Sequence, residues 1–506
     1  MDAGAALLLL LLIPGGAALL TLLTPQRYAH VVRVIAVLTG AAVLADSIYI
    51  FAAYDYREGG LQFDLQYAWI ENVAFLKENG ISLHLAVDGI AAPLVLLNGL
   101  VTFAGVLVSL KIQYRNKDFF VLFMTLVTGV FGVYVGQDLF FWFFAYELAV
   151  LPMYLLIVVW GSTNKEYGAM KLTMVLVGGS VLVFIGIFAV FTEAGAGTFD
   201  MPVLRAVEFD RGFARTFFPF FMIGCGVLAG LWPFHTWSPD GHVAAPTAVS
   251  MLHAGVLMKL GAFGIIRLGI EILPEGADLW MPTLLVLGGI AALYGAFSAL
   301  HQTDLKFVIG YSSVSHMGFV LMGLGTMNTI GVNGAVLQMF SHGVMTALFF
   351  AMVGAIYDQA HTRDITAFGG LIQRMPLFVF FFGVAGLASL GLPGLSGFVA
   401  EFHVFVGAVD AFPLFAALGV LSAGITAVYI LRLLGRAALG PLNARWDGLR
   451  DLSPWEFGAG LSLIAPMVAL GVWPDPFVDR IASTVLELPG VEQVGGALSH
   501  LPGITG

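Results

Sequence analysis

Long apolar runs, separated by short polar segments, recur along the whole 506-residue chain. Each run is long enough to cross a bilayer as a helix, which takes about 20 predominantly apolar residues. We predict fourteen membrane-spanning helices, at residues 3–23, 29–53, 84–110, 117–135, 137–160, 166–191, 217–235, 246–270, 281–301, 305–325, 330–357, 376–410, 412–436 and 455–473. The pattern therefore predicts an all-α integral membrane protein.

Proline and glycine interrupt the predicted helices at two places. The interruptions lie in LWPFHTWSPDGH (231–242) and in LPGLSGF (392–398), and the second makes 376–410 a single crossing with a broken helix. The residues that we assign to the two breaks are Pro233, Pro239, Pro393, Gly394 and Gly397. Irregular backbone at membrane depth is tolerated where it is buried in protein or lines a cavity, so these breaks indicate a pathway.

The two breaks occupy equivalent positions in the order of helices. Each belongs to the fourth member of a block of five, formed by predicted helices 4–8 and 9–13. Because five is an odd number, the second block lies inverted in the membrane, as in transporters with an ion pathway near the midplane. We therefore divide the chain into N-terminal helices (1–116), a first five-helix unit (117–301), a second, inverted unit (302–436) and a C-terminal helix with a short tail (437–506).

Composition and charge support a membrane protein and indicate its orientation. Charged residues make up 11% of the chain, against about 25% in soluble domains. With both termini on the outer side, the inner loops hold twice as many Lys and Arg residues as the outer loops, in agreement with the positive-inside rule. The net charge of −10 argues against a nucleic-acid partner.

The loops and the single cysteine exclude several kinds of site. Cys225 has no second cysteine with which to form a disulfide or a Cys-based metal site. The longest predicted loops, 54–83 and 192–216, contain neither a nucleotide-binding loop nor a paired-histidine metal motif. We therefore expect no cofactor and no metal in this chain.

Three ionisable residues, Glu147, Lys259 and Glu401, lie deep inside predicted helices. A charge at bilayer depth costs roughly 2.5–3.5 kcal/mol on insertion scales, so three such residues are expected to have a role. Structural ion pairs are one alternative. We favour a proton relay, because burial disfavours the charged form and lets a small electrostatic change move a proton. Asp88 and Asp138 lie nearer helix ends, where we expect their carboxylates to reach water.

Histidines extend the hypothesis of a relay. An imidazole titrates near neutral pH and can both accept and donate a proton. His342 is the strongest candidate, since it lies near the middle of a predicted helix, and the other candidates are His235, His253 and His316. For each of these, a purely structural histidine is an equal alternative. Lys306, one turn into its helix, fits a surface anchor or, as the sharper alternative, a residue that takes up protons.

Six stretches of the chain resemble the antiporter-like subunits of complex I, the NADH–quinone oxidoreductase. They are DLFFWFFAYELAVLPMYLL (138–156), WPFHTWSPDGHVAAPTAVS (232–250), GVLMKLGAFGIIR (255–267), QTDLKFVIGYSSVSHMGFV (302–320), HTRDI (361–365) and GLPGLSGFVAEF (391–402). The likeness covers roughly residues 85–440, with the six stretches in the order that the family has. Within this family the chain is most similar to subunit M, because Glu401 stands where the L, N and Mrp-type subunits usually have lysine. The chain also ends soon after its last predicted helix, without the long lateral helix of subunit L.

The resemblance implies proton translocation driven by quinone reduction elsewhere in the complex, in a fold of fourteen helices with two inverted five-helix units. It implies that Glu147 tunes a neighbouring lysine, that Lys259 is the central site, and that His342 lies on the path to the terminal residue, Glu401. It implies NADH, FMN, iron–sulfur clusters and quinone in partner subunits only. The implied partners are the other membrane-arm subunits, of the L and N type, and the implied location is the inner membrane of a bacterial cell.

One position departs from the family pattern. Leu228 stands where the family has a lysine, a few residues before WPFHTW, and no ionisable residue replaces it within 217–231. Either His235 or His253 accepts the proton instead, or the chain works differently from the usual pump. The alternatives are a subunit of a Mrp-type Na⁺/H⁺ antiporter, of an ion-pumping membrane-bound hydrogenase or of an inorganic-carbon uptake complex, and a purely structural scaffold.

Overall fold

The computed structural model describes residues 3–70 and 80–494. Thirteen helices in this part of the chain are long and apolar enough to cross a membrane. The helices are α1 (Ala3–Leu23), α2 (Ala29–Ala53), α3 (Ala91–Ser109), α4 (Asn116–Val135), α5 (Leu139–Trp160), α6 (Lys165–Ala194), α7 (Met201–Arg205), α8 (Arg211–Ala229), α9 (Trp237–Ala244), α10 (Thr247–Leu252), α11 (Met258–Gly264), α12 (Pro274–Leu300), α13 (Leu305–Gly325), α14 (Thr329–Ala360), α15 (Pro376–Ser389), α16 (Ser396–Ala411), α17 (Pro413–Ala437), α18 (Pro454–Val472) and α19 (Asp475–Val485). The predicted all-α membrane fold is confirmed.

Four crossings form the centre of the bundle. They are α3, α13, α14 and the crossing Thr247–Ile270, each covered almost completely by other parts of the protein. The crossing Thr247–Ile270 is irregular, since a π-helical turn, His253–Leu257, joins α10 to α11 and a second, Ile265–Ile270, follows α11. The outer helices α1, α2, α17 and α18 expose apolar side chains, as a face against lipid requires.

The broken crossing predicted at 376–410 is present as α15 and α16, with residues 390–395 between them. Pro393 and Gly394 lie in this gap, and Gly394 has a φ of 90°, a conformation that glycine adopts without strain. Gly397 was wrongly assigned to the break, because it is the second residue of α16. A side chain there would meet the Ala388 carbonyl oxygen, so this glycine lets α16 begin close to the end of α15.

The first break lies between α8 and α9. Gly230, with a φ of 81°, ends α8, and Pro233 follows in the gap. Pro239 was wrongly assigned to the break, because it is the third residue of α9. Proline is tolerated in the first turn of a helix, where its missing N–H has no partner to lose.

Three predicted crossings start at the wrong residue, and one of them, placed at 281–301, is α12, which begins at Pro274. The crossing placed at 84–110 begins at Ala91, because the residues before it form a strand. The crossing placed at 217–235 is α8, which begins six residues earlier, since the Asp210 carboxylate accepts hydrogen bonds from Gly212 and Phe213 and caps it. The sequence prediction started later because Arg211 and Arg215 interrupt the apolar run.

A two-stranded antiparallel sheet, which the sequence did not predict, joins β1 (Gln62–Ile70) to β2 (Ile81–Val87). It is anchored to the bundle through His84 on β2. The His84 Nδ1 lies 2.5 Å from an Asp200 carboxylate oxygen, and its Nε2 lies 3.0 Å from Asp64. Burial lowers the pKa of His84, but the hydrogen bond and charge of Asp200, with those of Asp64, outweigh it and raise the pKa overall.

One contact occurs in both five-helix units. Asp138 accepts hydrogen bonds from the first turn of α5 and forms an antiparallel bridge with Asp200, and Asp304 caps α13 and bridges Asp364 in the same way. Five crossings separate Asp138 from Asp304, so the two contacts lie on opposite sides of the membrane. This repeated contact agrees with the predicted inversion. The boundaries predicted at 116, 301 and 436 stay predictions.

The most extensive helix packing among the described residues joins α12 to α13 and depends on glycine. A Cβ atom at Gly318 would lie 2.4 Å from the Ala292 amide nitrogen, and one at Gly288 would lie 2.6 Å from that of Met322. Small residues at such contacts let membrane helices approach closely.

We expect Gly318→Ala to destabilise the bundle by about 1–3 kcal/mol, because the added methyl group forces α12 and α13 apart. Thermal unfolding of the solubilised protein measures this. Gly383→Ala on α15 is the matched control, since a Cβ there meets nothing within 4 Å. Equal unfolding temperatures for the two variants would contradict the prediction.

We expect His84 to make stability depend on pH. The pKa of His84 is raised in the folded state above its ordinary value of 6.5. The contribution of His84 to the free energy of unfolding is therefore fully present below pH 6.5 and is lost as the pH rises through the folded-state pKa. The unfolding temperature should therefore fall more steeply above about pH 6.5 in the wild type than in His84→Gln. The control is His301→Gln, at an exposed histidine that bonds only its own helix. Parallel curves for wild type and His84→Gln would rule the prediction out.

Candidate proton pathway

Lys259 lies at the centre of the bundle with no exposed surface. It sits on α11, directly after the π-helical turn His253–Leu257. Its ammonium nitrogen donates a hydrogen bond to the Ala254 carbonyl oxygen within that turn. A π-helical turn interrupts the normal hydrogen-bond ladder and is frequent at functional sites. The local backbone therefore supplies one partner for an otherwise costly buried amine.

The second partner of Lys259 is His342 on α14. The Lys259 Nζ and the His342 Nδ1 are 2.7 Å apart. The two helices approach closely because Gly255 and Gly343 face each other, and a Cβ at Gly343 would lie 2.6 Å from the Gly255 carbonyl oxygen. A hydrogen bond of this length between an amine and an imidazole can carry a proton from one nitrogen to the other.

His316 on α13 continues the chain of ionisable groups. Its ring lies 5.3 Å from the ring of His342, and its Nε2 is 3.0 Å from the Ser389 hydroxyl. Its Nδ1 lies 3.1 Å from the amide nitrogen of Gln338 and 3.3 Å from a carboxylate oxygen of Glu401. A neutral Nδ1 accepts from Gln338, whereas a protonated Nδ1 donates to Glu401, so loading a proton on His316 exchanges one partner for the other.

Glu401 terminates the chain of groups on the second unit. It is buried on α16, one turn after the break that ends at Leu395. The start of α16 is held against α14 by the hydrogen bond from the Ser341 hydroxyl to that of Ser396, at 2.7 Å. The break therefore places a carboxylate at depth next to His316.

Lys306 is buried, so its interpretation as a surface anchor was wrong. Its ammonium nitrogen lies 2.6 Å from the Ala245 carbonyl oxygen and 3.3 Å from the Ser250 hydroxyl. It also lines a cavity of about 410 Å³ together with Lys111 and Asp358. Lys111 bonds Asp358 and lies 3.1 Å from Glu456, so charged groups border this cavity.

Glu147 is separate from these groups. It is half-buried on α5 and faces Ser180 on α6. One of its carboxylate oxygens has no hydrogen-bond partner among the described residues. Leu228 is fully buried and brings no charge to this side of the bundle. The structure therefore brings together Lys259, His342, His316 and Glu401. Among the described residues, no hydrogen bond links any of them to Glu147.

His235 and His253 lie apart from each other. His235 packs edge-on against Tyr294, with ring centres 4.8 Å apart, and neither of its nitrogens is bonded within the described part of the chain. His253 stacks on Trp237 at 5.1 Å and lies near Lys259 on the same crossing. Of the two residues considered as substitutes for the missing lysine, His253 is thus the one within the central group.

Sequence reasoning missed a buried ionic cluster at the C-terminal end of the crossing Thr247–Ile270. Arg267 lies 2.6 Å from Asp88 and 2.5 Å from Glu271, and Arg205 lies 2.5 Å from Glu271. Asp88 does not reach water as expected, because it is buried against Arg267. Burial raises the pKa of Asp88, but the Arg267 guanidinium outweighs this and holds it below its usual range. Asp138 does not reach water either, since its carboxylate is buried as the cap of α5.

No group of three or more His, Cys, Asp or Glu side chains in residues 3–70 and 80–494 is arranged to hold a metal ion. The groups at the centre, which are an amine, two imidazoles and a carboxylate, can exchange protons with one another.

Comparison with known proteins identifies the family. Residues 136–426 match the family described as NADH:quinone oxidoreductase/Mrp antiporter, TM. This match covers more than half of the chain. The chain belongs to this family.

Two related proteins are similar to this chain over most of its length. NAD(P)H-quinone oxidoreductase chain 4 1 of Synechococcus sp. (strain JA-3-3Ab) is 36% identical over 495 residues, which cover 95% of this chain and 91% of that protein. NAD(P)H-quinone oxidoreductase chain 4 of Gloeobacter violaceus is 36% identical over 454 residues, which cover 87% of this chain and 85% of that protein.

Solved structures agree with the fold. A chain of the respiratory complex I from Thermus thermophilus with bound NADH superposes with a TM-score of 0.86 at 27% identity, covering 97% of this chain and all of that one. A chain of the Mrp complex from Dietzia sp. DQ12-45-1b gives a TM-score of 0.85 at 19% identity, over 96% of this chain and 98% of that one. The second likeness shows the shared fold alone.

We expect Arg267→Gln to destabilise the protein by about 3–5 kcal/mol, because the buried Asp88 carboxylate loses its ion-pair partner and Glu271 keeps only Arg205. The amount of chain retained in the membrane and the unfolding temperature report the loss. Arg211→Gln is the control, since its ion pair with Glu275 is exposed and such pairs contribute about 0–1 kcal/mol. The prediction fails if both variants are equally stable.

Proposed function

We propose that this chain is a proton-translocating membrane-arm subunit of an NADH:quinone oxidoreductase, equivalent to subunit M of complex I. The observation that carries the proposal is the continuous buried group Lys259–His342–His316–Glu401, which joins a central amine to a carboxylate at a helix break. The names of the most similar relatives and the complex I structure support the same assignment.

Proton transfer along this group uses short contacts at both ends and a water between the stacked rings of His342 and His316. Lys259 passes a proton to the Nδ1 of His342 across 2.7 Å, and the remaining steps run from His342 to His316 and from His316 to Glu401. Each step breaks one bond to hydrogen and forms another, and each neutral group is again an acceptor afterwards. The buried polar partners Gln338 and Ser389 hold His316 in position for both of its states.

The energy for translocation comes from outside this chain in our proposal. NADH, FMN, iron–sulfur clusters and quinone are held by partner subunits, and their chemistry reaches this chain as an electrostatic or conformational change. Glu147 is placed to receive such a change, because it is half-buried on α5, towards the surface of the bundle. Its role is to alter the charge balance near Lys259 from a distance, since Leu228 replaces the lysine of the usual pair.

The proposal extends to partners and location. Its partners in this proposal are antiporter-like subunits of the L and N type, and the match to a chain of a respiratory complex I supports such an assembly. The membrane is the inner membrane of a bacterial cell, with both termini on the outer side. Proton uptake then takes place on the inner side, at the cavity that Lys306 and Lys111 line.

A subunit of a Mrp-type Na⁺/H⁺ antiporter is the second candidate, because the fold of the Dietzia complex matches over nearly the full chain. Glu401 argues for the first candidate, since Mrp-type subunits resemble this chain but usually have lysine at that position. Replacing Na⁺ by K⁺ in transport assays separates the two functions.

We expect Lys259→Ala to lower proton translocation per NADH oxidised, with a loss of at least about ten-fold in its rate, because the central group of the relay is gone. Inverted membrane vesicles that contain the whole complex, with a pH-sensitive dye, measure this rate. Lys117→Ala, at the start of α4 near the inner surface, is the control. Unchanged proton stoichiometry in Lys259→Ala would exclude the relay.

A further inference from the structure

An apolar groove lies between α2 and α18, at the end of the bundle where α3 finishes. It has a volume of about 430 Å³ and is lined by Arg33, Val34, Val37, Leu38, Leu110 and Trp455. The helices α2 and α18 are among the crossings least covered by the rest of the protein. Val34 and Leu38 expose 55% and 65% of their surface. The groove therefore opens towards the hydrocarbon of the bilayer.

Arg33 brings unused hydrogen-bond donors to the edge of this groove. It is the fifth residue of α2 and is half-buried, and its Nη2 donates to the Ile112 carbonyl oxygen at 3.1 Å. Its Nε is buried and has no hydrogen-bond partner in residues 3–70 and 80–494, and no carboxylate of these residues pairs with it. A guanidinium binds phosphate through two parallel hydrogen bonds. The unpaired side chain of Arg33 is therefore suited to a phosphate group.

Trp455 indicates where the bilayer surface lies at this groove. It is the second residue of α18, and 55% of its surface is exposed. Tryptophan is enriched at membrane–water interfaces, where its ring lies at the level of the lipid headgroups. Leu110, directly after the end of α3, lines the groove beside it. The apolar part of the groove is therefore at the depth of acyl chains, and Arg33 can extend to the headgroups.

A second cavity adjoins the groove at Leu110 and Trp455, which line both. It has a volume of about 610 Å³, and its charged lining residues are Lys111, Asp358, Arg450, Asp451 and Glu456. Three carboxylates thus accompany two cations, and Lys111 is already paired with Asp358 and Glu456. The two sides of Trp455 are therefore opposite in charge, with a free guanidinium on one side and an excess carboxylate on the other.

We propose that this groove binds a phospholipid with a primary ammonium in its headgroup, of the phosphatidylethanolamine type. One acyl chain lies against Val34, Val37 and Leu38. The phosphate accepts hydrogen bonds from Arg33, and the ammonium donates towards the carboxylates beyond Trp455. A purely anionic headgroup is repelled by the excess carboxylate, and a choline headgroup has no N–H to donate. The proposal is independent of proton translocation, since it concerns the lipid-facing side of α2 and α18.

Binding is measured on the full chain in detergent micelles, by quenching of tryptophan fluorescence with phospholipids brominated on their acyl chains. Subtraction of the signal of Trp455→Phe isolates the response of this residue among the nine tryptophans of the chain. We expect brominated phosphatidylethanolamine to quench Trp455 at a lower mole fraction than brominated phosphatidylcholine or phosphatidylglycerol. Equal quenching by the three lipids, or stronger quenching by either of the other two, would overturn the proposal.

Arg33→Gln tests the contact with the phosphate. We expect the mole fraction of phosphatidylethanolamine that gives half of the quenching to rise about five-fold, because the cation beside the headgroup is gone. Arg432→Gln is the matched control, since Arg432 is also half-buried and donates to a carbonyl oxygen, that of Leu300, but lines neither cavity. Wild-type binding in Arg33→Gln would refute the site.

Val34→Phe tests the contact with the acyl chain and decides the matter if Arg33→Gln does not fold. The larger side chain fills the groove from an exposed position and leaves Arg33 in place. We expect several-fold weaker quenching of Trp455 by phosphatidylethanolamine, with normal assembly of the whole complex. Val420→Phe, at a residue of α17 that is 54% exposed, is the control. Unchanged quenching in Val34→Phe contradicts the proposal. Failed assembly of Val34→Phe alone assigns the groove to a neighbouring subunit and overturns it as well.

Discussion

The hydrogen bond between Lys259 and His342 sets the arrangement of the helices around it. An amine at the centre of an apolar bundle is tolerated only if polar groups reach it, and the two groups that do so come from its own π-helical turn and from α14. This requires α14 to touch the crossing Thr247–Ile270, which Gly255 and Gly343 permit. The helices that surround this contact, α13 and α16, then complete the chain of ionisable groups.

Much of the fold follows from the sequence because lipid leaves few alternatives. The bounds of α1 and α2 agree with the prediction, since each apolar run ends abruptly at polar residues. The strand β2 was missed because ISLHLAV is nearly as apolar as the helix that follows, and only His84 reveals the alternation of a strand. Short elements within an apolar region carry too little pattern to be separated from a crossing.

Part of the site was predictable from the sequence, and the residues that were missed depend on contacts between distant parts of the chain. Lys259, His342 and Glu401 are conspicuous because each lies alone in an apolar run. The ring of His242 lies 4.3 Å from that of His253, but the sequence places His242 in a polar break, where a histidine is not conspicuous. Asp88 was expected to reach water, because its partner Arg267 is distant in sequence and the pair becomes evident only when α3 packs against the end of the central crossing.

The two five-helix units have similar backbone arrangements but different ionisable side chains. The second unit contains a continuous set of groups from Lys259 to Glu401, whereas the first has Glu147 with Leu228 in place of a nearby cation. Symmetry of the backbone therefore does not require symmetry of function. The first unit still contains the first break, and its crossing Thr247–Ile270 carries Lys259 itself, so part of that unit serves the central pathway.

The paired contacts Asp138–Asp200 and Asp304–Asp364 have a consequence of another kind. They repeat one local geometry near opposite faces of the membrane, so the same backbone arrangement lies close to two different aqueous compartments. When the compartments differ in acidity or electrical potential, the pairs experience different conditions with nearly the same structure. Two contacts of the same geometry are thus available in one molecule, and any difference between them reflects the different conditions on the two sides of the membrane.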